Sequence, residues 1–164
     1  MYIKLKEPSL KRALEWRILA QKFNLKSLDD ECLRALAWNA DRFIKSNEWI
    51  EADIDLLKIF LSSSMLILPD ELSLYRAVCK WLLAFEIDGR QERFESNCRE
   101  LIPLIRFAQM LETQLFYIES LPMLKNHVKN KETWLIELIK EYLFKAYRFR
   151  CLEGKFYSLF YFMK

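Results

Sequence analysis

Any catalysis in this chain would have to come from very few residues. His127 is the sole histidine, so an imidazole serving a serine or cysteine nucleophile could only be this one. It lies in a polar stretch, residues 125–131, and reads as an exposed loop residue. Asp29-Asp30 and Asp53-Asp55 are carboxylate pairs of the kind used in general acid–base work. Both fall at the starts of predicted helices, where negative charge opposes the helix dipole, and nothing apolar encloses them to raise a pKa. Cys32, Cys79, Cys98 and Cys151 are widely spaced with no CxxC, whereas zinc needs three or four clustered ligands. Cys32 and Cys79 fall on apolar helix faces and read as buried free thiols, with two disulfides as the alternative. Two glycines in the whole chain exclude the glycine-rich loops that cradle phosphates. The expectation is a non-enzyme with no catalytic residue, no cofactor and no metal.

The 26 basic and 23 acidic residues leave a net charge of +3. They are interspersed, as on solvated helix faces, and no basic stripe marks a nucleic-acid footprint. No apolar run is long enough to span a bilayer, and residues 1–15 lack the apolar core of a signal peptide. The scarcity of glycine and the 52% hydrophobic content favour long helices over many short strands.

Those helices can be placed from their start and stop signals. Residues 9–23 follow Pro8 and put Leu10, Ala13, Leu14, Ile18 and Phe23 on one stripe. Asn24-Leu25-Lys26 breaks the pattern, and Ser27, with Asp30 three residues on, reads as the cap of a second helix running to about Asn47. A third helix spans residues 51–61. Asp70 is a cap for residues 71–82, where its carboxylate accepts orphan backbone N–H bonds. Residues 91–102 form a helix stopped by Pro103, residues 112–120 a short one, and residues 131–147 a long one with Leu135, Leu138, Ile139, Tyr142 and Leu143 inward. Trp16, Trp38 and Trp49 are expected in helix packing, with a surface patch as the alternative. Beyond Arg148, Gly154 allows a β-hairpin flanked by residues 149–152 and 156–163. An apolar tail that packs against further sequence is the other reading.

The run Glu71-Leu72-Ser73-Leu74-Tyr75-Arg76-Ala77-Val78-Cys79-Lys80-Trp81-Leu82, then Gly89-Arg90, then Leu101-Ile102-Pro103-Leu104-Ile105-Arg106-Phe107, resembles the BACK domain. That domain is the helical module that follows BTB domains. Residues 13–28 (ALEWRILAQKFNLKSL) and Cys32 resemble the helical end of a BTB domain, and Tyr2-Ile3 its last strand. The resemblance implies an all-α fold of stacked helical hairpins in three parts: BTB end and junction (1–45), BACK helices (46–124), and a C-terminal helix with an aromatic tail (125–164). It also implies structural roles. Glu71 would fix its helix start, Tyr75 and Trp81 with Leu82 would fill the core, and Arg106 with Phe107 would close a helix junction. Phe85-Glu86-Ile87-Asp88 departs from the more acidic linker of the family.

Kelch repeats do not follow Phe116. Instead Ala146-Tyr147-Arg148-Phe149 resembles the region after BACK in the BTB-containing group related to galectin-3-binding protein. The implied function is a cytoplasmic protein-interaction scaffold, homodimeric when intact, that links a BTB domain recruiting cullin-3 ubiquitin ligase to a recognition region. The alternative is the structural part of a secreted adhesion oligomer.

Overall fold

The computed structural model describes residues 9–84, 91–120 and 133–162, with residue 133 and residues 153–162 described by their helical backbone alone. The described residues are helical, without strands. They divide into two compact units, Met1–Pro69 and Asp70–Lys164.

The first unit opens with helices α1 (Leu10–Lys22) and α2 (Lys26–Trp38), packed as a hairpin. Ser9 caps α1 by accepting the Arg12 N–H. Asn24 adopts a left-handed φ of 55°, which asparagine tolerates better than most residues. The Leu25 N–H then reaches Ala20 O at 2.8 Å and the Asn24 N–H reaches Gln21 O at 3.1 Å, a Schellman closure. This turn feeds the chain straight into α2, whose N-cap is Leu25 without a side-chain cap. Ser27, expected as the cap, therefore lies inside the first turn. Asn39 ends α2 by donating its side-chain amide to Ala35 O. The long second helix expected here is thus two, α2 and the single turn α3 (Ala40–Phe43).

Helices α4 (Asn47–Glu51) and α5 (Ile54–Ser62) replace the expected third helix. Ala52 is extended between them, and Asp53 starts α5 by accepting the Leu56 N–H at 2.7 Å. The core of this unit is an aromatic triangle. Phe43, Trp49 and Phe60 meet edge to face with ring centroids 5.2–5.6 Å apart, and Leu36, Leu57 and Leu61 close around them, fully buried. Trp49 thus packs inside, while Trp16 and Trp38 are exposed.

Helix α6 (Glu71–Leu82) begins the second unit. Asp70 accepts the Ser73 N–H at 2.7 Å and its second oxygen accepts the Ser73 hydroxyl at 3.1 Å. Asp70→Ala should cost about 1 kcal/mol, the usual loss for an N-cap, measurable by urea titration followed by circular dichroism. Helix α7 (Phe94–Leu101) passes into a 3-10 turn at Ile102–Leu104 that carries Pro103, and a second such turn follows at Phe107–Gln109. Helix α8 (Glu112–Ser120) has the expected bounds. Helix α9 (Thr133–Phe162) buries Leu135, Ile139, Leu143 and Ala146 along one stripe.

Helix α9 overturns the expected C-terminal β-hairpin, because its backbone runs unbroken through Glu153-Gly154-Lys155. One glycine inside a helix costs about 1 kcal/mol relative to alanine, which a helix of 30 residues sustains. A lone hairpin with no sheet to join is marginal in water. The linker at 85–90, the polar boundary at 125–131 and His127 lie outside the described residues.

Candidate functional site

The residues singled out by the resemblance gather around the start and inner face of α6. Glu71 sits at the first position of that helix and is buried. Its Oε1 accepts the backbone N–H of Arg106 at 2.9 Å. Its Oε2 lies 4.0 Å from Arg106 Nη1, the outer limit of an ion pair. The backbone hydrogen bond, made to a charged acceptor, is the stronger of the two holds. It clasps the turn after Pro103 against the N-terminus of α6, where the carboxylate also faces the positive end of the helix dipole.

Tyr75, one turn on, is fully buried and meets Phe107 edge-on at 6.0 Å. Phe107 in turn stacks on Tyr142 of α9 at 5.9 Å and 24°. Trp81 and Leu82 are buried at the far end of α6. Glu71 and Arg106 therefore form a clasp, with the rings of Tyr75, Phe107 and Tyr142 as an aromatic ladder behind it. Burial pushes the Tyr75 hydroxyl well above its ordinary range and the Cys79 thiol beside it up to about 12, so both stay protonated and unreactive at neutral pH. A thiol is a weak partner for an enclosed hydroxyl. Tyr75→Phe should thus be neutral or stabilising, by up to about 1 kcal/mol, as read from the urea midpoint.

Further buried polar contacts lie outside the expected set. Arg17, on the inner face of α1, is buried with its Nε 3.2 Å from Asp29 Oδ1 on α2. It occupies a place on the inward stripe where the spacing led us to expect only apolar residues. Ile18 and Phe23, expected inward, are exposed. In the second unit Arg150 donates to Met110 O at 2.5 Å, tying α9 to the turn before α8. A carbonyl partner leaves no signal in the sequence for that contact.

An open groove of about 660 Å³ runs between α2 and α5 in the first unit. Leu33, Ala37, Ile59 and Met65 line it, with Asp30 and Arg34 at its edge. Such a lining suits an apolar side chain more than a reaction. Among the described residues no three His, Cys, Asp or Glu side chains cluster as metal ligands, and no helix is long and apolar enough to cross a membrane.

Residues 13–118 match the family described as BACK, for BTB And C-terminal Kelch. The chain belongs to the BACK family. The match covers helices α1 to α8, so it takes in the α1–α2 hairpin together with the Glu71–Arg106 clasp. This BACK chain is 25% identical to BTB/POZ domain-containing protein 17 of Xenopus laevis over 143 residues, covering 87% of the chain and 28% of that relative. It is 27% identical to galectin-3-binding protein of Mesocricetus auratus over 122 residues, 74% of the chain and 20% of the relative. Against human BTB/POZ domain-containing protein 17 the identity is 31% over 108 residues, 66% of the chain and 21% of the relative. The BACK chain thus spans less than a third of the length of each of these relatives.

Proposed function

We propose that this BACK chain is a non-enzymatic scaffold that joins a BTB domain, through which cullin-3 ubiquitin ligase is recruited, to a substrate-recognition region. The observation that carries the reading is the outward face of α1 and the turn after it. Trp16, Ile18, Leu19, Phe23 and Leu25 are all exposed, at 47–64% of their surface, while the inward face of α1 is filled by Ala13, Arg17 and Ala20. Trp16, Leu19 and Phe23 share one side of α1 at helical spacing, exposed apolar groups of this size mark an interaction surface, and in a BACK chain the neighbour in sequence order is a BTB domain. In this reading residues 1–45 form the junction, α1 and α2 add secondary contacts to cullin-3, and the clasp at Glu71 keeps the spacer stiff. The intact protein is a cytoplasmic homodimer.

Galectin-3-binding protein among the relatives favours a second reading, a structural region of a secreted oligomer. Against it, Cys32 and Cys79 are free and buried, a state that suits a reducing compartment. The test is a calorimetric titration of the full-length protein with the purified amino-terminal domain of cullin-3, alongside a count of free thiols. Saturable binding that Leu19→Asp weakens, with free thiols, supports the ligase scaffold. No binding together with bridged cysteines overturns it in favour of the secreted oligomer.

A further inference from the structure

A cleft of about 250 Å³ opens between α1 and the α4–α5 turn of the first unit. Ala52 and Leu56, both buried, form its floor with the half-buried Leu14. Arg17 lines it too, with its side chain only 5% exposed. The Nε of that guanidinium lies 3.2 Å from Asp29 Oδ1, yet neither atom has a hydrogen bond among the described residues. The contact is one of charge alone. A guanidinium carries five N–H donors, and buried donors are seldom left without an acceptor.

The mouth of the cleft is acidic. Glu15 comes from α1, Glu48 and Glu51 from α4, and Lys11 is the base beside them. Other acids of this unit pair with a base one turn away, Asp41 with Lys45 and Asp55 with Lys58. Among the described residues Glu15, Glu48 and Glu51 join no ion pair.

A simple anion would reach the guanidinium only past three carboxylates with no counter-charge. A simple cation would suit those carboxylates and leave the buried donors without an acceptor. A molecule with a carboxylate, an ammonium and an apolar body answers both needs and covers the floor. The cleft is also smaller than the roughly 300–1,000 Å³ that drug-sized ligands fill, which fits a body of few atoms.

We infer that this cleft binds a free apolar α-amino acid. Its carboxylate accepts from Arg17, its ammonium donates to the Glu15, Glu48 and Glu51 carboxylates, and its side chain lies on Leu14, Ala52 and Leu56. Hydrogen bonds in which donor and acceptor are both charged are the strong ones. The site does not depend on the ligase reading.

Equilibrium dialysis of the 164-residue chain against radiolabelled L-leucine should show saturable binding. Leucinamide keeps the ammonium and lacks the carboxylate, whereas isocaproate keeps the carboxylate and lacks the ammonium. Each should compete at least about tenfold more weakly than leucine, the cost of one lost charge-assisted contact. Glu48→Gln combined with Glu51→Gln, a conservative change at the mouth, should weaken leucine about tenfold. These measurements leave Arg17 and Asp29 in place, so the hairpin they join is not at stake. No saturable binding overturns the inference. It is equally overturned if leucinamide or isocaproate competes as well as leucine, or if the double glutamine variant binds leucine unchanged.

Discussion

Replacing Trp49 by alanine should cost the first unit about 3–5 kcal/mol, the usual range for truncating a buried aromatic. Trp49 has no exposed surface, and two of its neighbours, Phe43 and Phe60, meet it edge-on at 5.4 and 5.6 Å. Edge-to-face pairs add about 0.5–1.5 kcal/mol beyond the area they bury, and two such pairs vanish together. The cavity also cannot refill locally, since α4, which carries Trp49, is only five residues long. Urea unfolding followed by circular dichroism should show the early loss of a separate transition. Trp38→Ala, at an exposed site, should leave that transition in place. A Trp49→Ala variant as stable as the parent would remove the triangle as the core of this unit.

Glu71→Ala should cost the second unit about 2–3 kcal/mol. The change removes a hydrogen bond to a charged acceptor and leaves the Arg106 N–H without it, each a loss of about 1–3 kcal/mol that partly overlap. It also strips a negative charge from the N-terminus of α6, worth about 0.3–1 kcal/mol. Glu71→Gln keeps an oxygen acceptor of the same reach and should recover most of the loss. If instead the ion pair at 4.0 Å were the main hold, glutamine would be as damaging as alanine, and the difference between the two urea midpoints decides it.

Features governed by neighbours in sequence were legible before the structure. Asp70 at the head of α6, the bounds of α6 and α8, and the stop at Pro103 all follow from capping and from proline's missing N–H. What escaped depended on distant partners. Arg17 breaks the apolar stripe of α1 because Asp29, twelve residues on, receives it across the hairpin. Periodicity scores each helix against a notional apolar core and cannot see that pairing. Gly154 taken alone favours a turn, but helix on both sides outweighs one unfavourable residue. No local rule pairs Glu71 with a backbone N–H 35 residues away; both residues were picked out only by the family resemblance.

The thin inner face of α1 has a further consequence. Two alanines and one guanidinium are all that α1 buries completely, against Leu56, Leu57, Phe60 and Leu61 on α5. Its amide protons should exchange with deuterium faster than those of α5, in keeping with an element of low local stability. A partner seated on its outer face would bind only the closed form, raise the free energy of opening by RT ln(1 + [L]/Kd) and so slow that exchange by the factor 1 + [L]/Kd. The amides of Leu10–Lys22 would then serve as a built-in gauge of occupancy, readable by mass spectrometry with no label on either molecule.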